Sequence, residues 1–301
     1  MTTALPTGLG AGTTGAESRV PPVRRRAGFA GLAVAPFLLY LAVFFAVPVV
    51  MLVYGAFQSS GPNPSFTVSN MKLAGEGSFR TALIGSVKLS GITAVAGAVL
   101  GLGLAQLVVR TNTLKRIVLT ASGVLANFGG VPLAFMFIAT LGNNGFVTDR
   151  LHLGDAGFTL YGFWGLVLVY LYFLVPLMVL VITPALEGLR VQWHEAATNL
   201  GASRWQFWRY VGGPVLLPSL LGGLVLLFGS AFSAYATVRA LMGASSVPIV
   251  TLYIASALSG NVQTNAQNVA FALSLDMILI AGVVMAVYLP LQRRTTRWLN
   301  N

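Results

Sequence analysis

The chain has 301 residues, of which 56% are hydrophobic and 8% charged, with a formal net charge of +11 and no cysteine. Its mean hydropathy of +0.80 leaves too few polar side chains to cover a water-soluble globule, whereas lipid can cover an apolar exterior. The composition therefore excludes a soluble protein and any disulfide or thiolate–metal site, and it indicates an integral membrane protein.

The first segment, residues 1–28, is rich in Gly, Thr and Pro and poor in large apolar side chains. This composition predicts a disordered cytoplasmic tail. The apolar run that follows Arg24–Arg26 is too long for the core of a signal peptide and has no small-residue cleavage site, so it predicts a retained membrane anchor. Residues 29–292 are expected to form one transmembrane domain, and residues 293–301 a second cytoplasmic tail.

The transmembrane domain is predicted from continuous apolar runs. A helix needs about 20 mostly apolar residues to cross the hydrocarbon layer of a bilayer. The runs in this chain do not alternate in polarity, as the strands of a membrane barrel would. The sequence therefore predicts an all-α membrane protein with six transmembrane helices, at Gly31–Phe57, Ala82–Val109, Ile117–Leu141, Tyr161–Ala185, Val215–Ala236 and Val269–Leu291.

The basic residues predict which side of the membrane each loop occupies. Thirteen fall in the two tails and in the loops after the second and fourth helices: Arg19, Arg24, Arg25, Arg26, Arg110, Lys115, Arg116, Arg190, Arg204, Arg209, Arg293, Arg294 and Arg297. The opposite side receives four: Lys72, Arg80, Arg150 and Arg239. By the positive-inside rule both termini are predicted to be cytoplasmic. This distribution over alternate loops is not the single basic face that binds nucleic acid.

The residue types needed for catalysis or for metal binding are not grouped in the sequence. The two histidines, His152 and His194, fall on opposite sides of the predicted membrane, so they cannot share a metal. No predicted helix holds a pair of carboxylates. None of the three lysines, Lys72, Lys88 and Lys115, follows a glycine as a phosphate-binding loop requires. We therefore expect no catalytic residues, no metal site and no nucleotide site on this chain.

One hydrophilic segment between the fourth and fifth helices stands apart from the rest. Helix propensity predicts a short helix over Glu187–Leu200, a left-handed stop at Gly201 and a second short helix over Ala202–Val211 before Pro214 opens the next span. Two interpretations remain open for this helix-turn-helix. It either lies on the lipid headgroups, anchored by tryptophans, or docks to a partner protein.

The spacing of small and aromatic residues in this segment resembles the EAA loop of ABC importer permeases, whose pattern is EAAxxxGAxxxxxFxxVxLP. Trp replaces the usual Phe at position 208, and Gly replaces the usual Leu at position 213. The residues that the resemblance places in coupling to an ATPase, together with a neighbouring tryptophan anchor, are Glu195, Ala196, Ala197, Gly201, Ala202, Trp205, Trp208, Val211 and Pro214.

The resemblance implies a set of partners and a mechanism. In that family the loop inserts into a cleft on an ATP-binding subunit, which binds ATP and magnesium, so this chain would be no enzyme. One loop per chain implies half of a translocation pore in the bacterial cytoplasmic membrane. Two ATPase subunits, a second permease that is identical or related, and an extracytoplasmic solute-binding protein would complete the importer.

The solute is predicted from a weaker resemblance. The sequence around the third helix is more similar to the permeases for polyamines, iron and phosphonates than to those for sugars, and a polyamine such as spermidine or putrescine is the first choice. An importer of iron, phosphonate or sugar-type solutes is the alternative. A stand-alone secondary transporter would be expected to show internal repeats, which the sequence does not contain.

Two ionisable residues inside predicted helices are candidates for the solute pathway, because a charge within the bilayer is costly. Lys88 and Asp276 are predicted at matching depth. Either they form an ion pair that ties the second helix to the sixth, which is our preferred interpretation, or Asp276 meets a cationic solute.

Uncharged polar residues supply further pathway candidates. Ser230, Ser233 and Tyr235 end the fifth helix, where they face either a pore or a closely packed neighbour. Asn127, followed by Gly129-Gly130 and Pro132, predicts a break in the third helix. Freed backbone groups at such a break either line a cavity or accompany a simple kink.

Overall fold

The computed structural model describes residues 27–61, 63–155, 157–242, 247–259 and 266–297, and these residues are largely helical, with no strand among them. The helices of the first half are, in chain order, α1 Ala27–Leu41, α2 Val47–Ala56, α3 Ser69–Ala74, α4 Gly77–Val109, α5 Asn112–Asn127, α6 Val131–Leu141 and α7 Phe146–Leu151. Those of the second half are α8 Phe163–Glu187, α9 Val191–Asn199, α10 Arg204–Phe207, α11 Gly213–Phe232, α12 Ala236–Met242, α13 Val250–Leu258 and α14 Ala266–Arg297.

Six helical segments among the described residues are long and apolar enough to span a membrane, which confirms the predicted fold class. They are Val34–Ala56, Gly77–Val109, Val131–Leu151, Phe163–Glu187, Arg204–Phe232 and Gln267–Arg293. The third differs from its predicted bounds, because the chain breaks at residues 128–130 and α5 and α6 are separate helices. The short helices α3, α7, α12 and α13 were not predicted, since each is too brief for a periodic pattern.

The predicted tails fall only in part on described residues. Helix α1 begins at Ala27, so the last two residues of the predicted disordered tail 1–28 are helical, and residues 1–26 lie outside the described chain. Helix α14 extends through Arg297, so the predicted tail 293–301 begins as helix, and residues 298–301 lie outside the described chain.

The chain divides into two compact units, residues 1–49 and 50–301. In the first unit the described helix α1 passes through a π-helical turn, Ala42–Ala46, shortly before Pro48. A proline ring displaces the carbonyl four residues earlier, so a wider turn at this point relieves the clash. Aromatic side chains of this unit, such as Phe45, are exposed, as expected of a helix that faces lipid or another chain.

The core of the second unit is centred on α8. Helices α4, α5 and α11 pack around it and bury Tyr170, Leu174 and Met178. Two glycines allow the close approach. A Cβ at Gly101 of α4 would lie 2.5 Å from the Met178 Cβ, and one at Gly223 of α11 would lie 2.7 Å from its Sδ. Small residues at such contacts are what allows membrane helices to pack closely.

We therefore expect Gly101→Val to destabilise the protein by about 1–3 kcal/mol, because a core side chain and two helices must move to admit the new methyl groups. Gly103→Val is the matched control, since no atom lies within 4 Å of a Cβ at Gly103 on the same helix. The midpoint of thermal unfolding of the purified chain measures both. An equal effect of the two substitutions would contradict the packing argument.

A second apolar cluster joins the end of α2 with α3, α13 and α14. The Asn70 side-chain amide donates hydrogen bonds to the carbonyls of Ala56 (3.0 Å) and Gln58 (2.9 Å), and the Asn268 amide donates to Gln58 O at 2.8 Å. The backbone N–H of Val250, at the start of α13, donates to the Ser86 hydroxyl of α4 at 2.9 Å. Helix α13 therefore packs against both α4 and α14.

Candidate functional site

The loop between α8 and α11, residues 187–214, is built around the turn at Gly201. Gly201 has φ +76°, a left-handed conformation that glycine adopts without cost. Its N–H donates to Thr198 O at 2.9 Å, and the N–H of Ala202 donates to Ala197 O at 2.9 Å. These two bonds form a Schellman motif, which ends α9 where the sequence predicted a stop.

The second helix of the loop starts with a capping box. The Ser203 hydroxyl accepts a bond from the N–H of Gln206 at 3.2 Å, and the Gln206 side chain accepts one from the N–H of Ser203 at 2.7 Å. Such a reciprocal cap satisfies two helix donors and fixes where α10 begins.

The bounds of both loop helices differ from those predicted. The first begins at Val191 and not at Glu187, because α8 continues to Glu187 and Gly188 then ends it. The second does not stop before Pro214. It continues through a π-helical turn, Trp208–Gly212, into α11, because Pro214 occupies the first turn of α11, where its missing N–H costs little.

Sequence reasoning missed the contact that holds the two loop helices together. The Phe207 ring is buried and meets the His194 ring edge-on, with centroids 4.8 Å apart. From the sequence, His194 was considered only as a metal ligand, and no contact was predicted for it. The available signal was the spacing of Phe207 and Val211, four residues apart on one helical face, which are buried and half-buried.

The outer surface of the loop is exposed and carries large apolar side chains. Leu200 is 88% exposed, Trp205 71% and Tyr210 69%. Glu195 is also exposed and forms no ion pair with a described residue, whereas Glu187, at the end of α8, pairs with Lys115 at 2.5 Å. The loop therefore presents apolar groups and an unpaired carboxylate on a fixed backbone.

The predicted coupling residues are exposed on this surface to different degrees. Ala196, Gly201 and Pro214 are exposed, whereas Ala197, Ala202 and Val211 are half-buried. Trp208 is turned partly inward, over Gly212, where a Cβ would lie 2.8 Å from the indole ring. The indole also lines a small cavity of about 160 Å³ at the ends of α4 and α8, together with Gln106, Val109, Arg110, Leu186 and Leu189.

A second feature, a cavity of about 340 Å³, lies where two breaks in the helices meet. One break separates α5 from α6 at residues 128–130, and the other separates α11 from α12 at residues 233–235. The N–H of Gly130 donates to the Thr237 hydroxyl at 2.9 Å and so joins the two breaks. The predicted break after Asn127 is therefore confirmed, and its residues line a cavity.

The cavity brings together three of the predicted pathway residues, Asn127, Ser230 and Tyr235. The complete described lining is Ala126, Asn127, Gly129, Gly130, Phe173, Leu177, Ser230, Ala234, Tyr235, Ala236 and Thr237.

Ser233, Lys88 and Asp276 do not line this cavity. The Ser233 hydroxyl donates to the Gly229 carbonyl at 2.9 Å and so caps its own helix. Lys88 is exposed on α4, and Asp276 is half-buried on α14.

The preferred Lys88–Asp276 ion pair is not formed in the described structure. The reason is the rotation of α4 about its axis. Ser86 faces α13, which packs against α14, and a residue two positions further along a helix points about 200° away. Lys88 therefore faces away from Asp276, although their depths are similar.

We expect Asp276→Asn and Lys88→Met to act independently on stability. If Lys88 and Asp276 formed a buried ion pair, removing one partner would cost about 3–5 kcal/mol of stability, and the second substitution would restore it. Thermal unfolding of the two single variants and the double variant measures the coupling. The observed pair, tested with Lys115→Met and Glu187→Gln, is the positive control and should couple by up to about 1 kcal/mol. A rescue of Asp276→Asn by Lys88→Met would contradict the geometry.

Residues 97–297 match the family described as the binding-protein-dependent transport system inner membrane component. The chain belongs to this family. The match includes both the loop and the cavity, and it confirms the resemblance to ABC importer permeases.

Relatives of this permease cover its length to different extents. The molybdenum transport system permease protein ModB of Escherichia coli (strain K12) is 33% identical over 135 residues, which cover 44% of this chain and 58% of ModB. The chain thus spans little more than half of that relative. The probable starch degradation products transport system permease protein AmyD of Thermoanaerobacterium thermosulfurigenes is 26% identical, over 87% of this chain and 94% of AmyD.

The fold is similar to that of a solved permease chain. A chain of a bacterial ABC transporter involved in the import of the acidic polysaccharide alginate superposes with a TM-score of 0.68 and 18% identity. The superposition covers 88% of this chain and 95% of the other. At this identity the similarity concerns the fold.

Proposed function

We propose that this chain is the permease subunit of an ABC importer and forms half of its translocation pore. The observation that carries the proposal is the exposed, capped helix-turn-helix at residues 187–214, on a chain of the binding-protein-dependent permease family. The loop has the shape of a docking element, because its backbone is fixed by the turn and the cap while the large side chains of Leu200 and Trp205 are exposed.

The chemistry of the loop suits a protein partner. Exposed Leu200, Trp205 and Tyr210 are large apolar anchors of the sort that contribute most to interface energy. Small Ala196 and Gly201 allow a partner backbone to approach closely. The carboxylate of Glu195 offers a charge for a basic group of the partner.

The path from the loop to the cavity is one continuous helix. Helix α10 joins α11 through the π-helical turn, and the combined segment Arg204–Phe232 has 29 residues. At 1.5 Å per residue this segment is roughly 40 Å long. A force applied to the loop would thus move the helix whose far end carries Ser230 in the cavity wall.

The proposed assembly contains two ATPase subunits that bind ATP and magnesium, a second permease that is identical or related, and an extracytoplasmic binding protein. Both chain termini would face the cytoplasm of a bacterial cell, as the basic residues predict. One solved neighbour of similar fold is an alginate transporter in complex with a pentasaccharide-bound periplasmic protein.

We expect the purified chain to hydrolyse no ATP and to import no solute in liposomes, because transport requires the partners. Co-expression with the ATPase should yield a stable complex, measured by co-purification, and the complex should hydrolyse ATP. Hydrolysis or uptake by the isolated chain would contradict the proposal. So would an ATPase that fails to bind the chain whether or not a second permease is present.

The solute is not established by the relatives, whose names refer to molybdenum, starch degradation products and sulfate. The polyamine prediction came from a resemblance of the sequence around the third helix, and Asp276, the residue considered as a partner for a cationic solute, lies outside the cavity. A polyamine is retained as one outcome of the binding experiment on the cavity residues.

A further inference from the structure

The cavity between the two helix breaks has an uncharged polar lining. Among the described lining residues none is acidic or basic, and the polar side chains are those of Asn127, Ser230, Tyr235 and Thr237. The volume of about 340 Å³ lies at the lower end of the range for small-molecule sites, and it exceeds what one or two waters require.

Much of the hydrogen-bonding capacity of these side chains is unused. The Asn127 amide donates to Gly123 O at 2.9 Å, which leaves its carbonyl oxygen and a second N–H available. The Thr237 hydroxyl accepts from Gly130 and retains its own proton for donation. The hydroxyls of Ser230 and Tyr235 bond to no described residue, so each can both donate and accept.

This mixture of donors and acceptors discriminates between solute classes. A polycation would lose hydration and meet no carboxylate among the described lining residues, which is unfavourable. An oxyanion only accepts hydrogen bonds, so the free acceptor of Asn127 would remain unpaired.

A neutral compound with several hydroxyl groups satisfies donors and acceptors together. The rings of Phe173 and Tyr235, which also line the cavity, supply apolar surface for its carbon skeleton.

We propose that the solute bound in this cavity is an uncharged polyhydroxylated compound of the sugar or polyol class, held by Asn127, Ser230 and Tyr235. The inference rests on the proposed permease function and names the solute class of its pathway.

The test uses the full chain in lipid nanodiscs, which contain no sugar-based detergent. Saturation-transfer NMR is recorded with maltose and with putrescine as probes, and sulfate is added as a competitor. We expect saturation transfer to maltose, none to putrescine, and no displacement of maltose by an equal concentration of sulfate. Transfer to putrescine, displacement by sulfate, or no transfer to maltose would overturn the inference.

Two variants assign the signal to the cavity. Ser230→Ala and Tyr235→Phe should each weaken maltose binding about fivefold, the effect of one hydrogen bond. Ser233→Ala is the matched control, because this hydroxyl, three residues from Ser230, bonds to its own helix and does not line the cavity. Equal maltose binding by Ser230→Ala, Tyr235→Phe and the wild type would overturn the assignment.

The same preparation separates the inference from the proposed function. A wild-type chain that binds the ATPase but shows no maltose binding would refute the solute class alone. A chain that binds maltose but never binds the ATPase would refute the importer function alone.

Discussion

Reversing one charge on the loop, by Glu195→Arg, is expected to weaken binding of the ATPase subunit by a factor on the order of ten to one hundred. Glu195 is exposed, and the described residues offer it no ion pair, so its carboxylate is available to a basic group of the partner. Like charges placed opposite each other across an interface are strongly unfavourable. Co-purification and titration with the ATPase measure the change, and the yield of membrane-inserted chain should be unaltered.

Asp155→Arg is the control, because it makes the same change of charge on an exposed loop distant from α9 in the sequence. Its ATPase affinity should equal that of the wild type. If the helix-turn-helix instead rests on lipid headgroups, Glu195→Arg would add about 1 kcal/mol of attraction to an anionic membrane surface. The ATPase would then bind both variants equally, which would contradict the docking role.

The six spans and the turn of the loop could be predicted because each depends on local sequence. Continuous apolar runs define a spanning helix whatever it packs against. Gly201 was predicted as the left-handed stop of α9, since the alternatives carry a Cβ that this backbone disfavours. The break near Asn127 was predicted from Gly129-Gly130 and Pro132, which weaken a helix at this point.

Features that depend on rotation about a helix axis could not be predicted. Depth along α4 follows from counting residues, whereas the direction of Lys88 depends on how α13 packs against Ser86. The Phe207–His194 contact likewise joins two helices across a turn, so the spacing within one helix could indicate that Phe207 faces inward but not which residue it meets. Predicting an ion pair from equal depth was therefore wrong for a geometric reason.

The cavity depends both on local sequence and on tertiary packing. The break after Asn127 was predicted from the sequence, whereas the break at residues 233–235 was not, because the fifth helix was predicted to run through Ala236. Their meeting depends on tertiary packing, in which Gly130 bonds to Thr237 across more than one hundred residues of chain. The sequence therefore indicated three of the polar lining residues, Asn127, Ser230 and Tyr235, but it did not indicate Thr237.

The largest stability effect at the cavity is expected for Gly130→Ala. Gly130 has φ +76° and ψ −147°, a backbone region that is occupied almost only by glycine. A Cβ there would meet only Ala236, at 3.8 Å, so the cost comes from the backbone and should be about 1–3 kcal/mol. If the backbone relaxes instead, the bond from Gly130 to Thr237 is lost and the two breaks separate.

Gly129→Ala provides the matched control for this substitution. Gly129 has no positive φ, and no atom lies within 4 Å of a Cβ at this position. We expect Gly130→Ala to lower the midpoint of thermal unfolding by several degrees, whereas Gly129→Ala should leave the midpoint unchanged. Equal unfolding midpoints for the two variants would show that the left-handed turn at residue 130 is not what holds the α5–α6 break against α12.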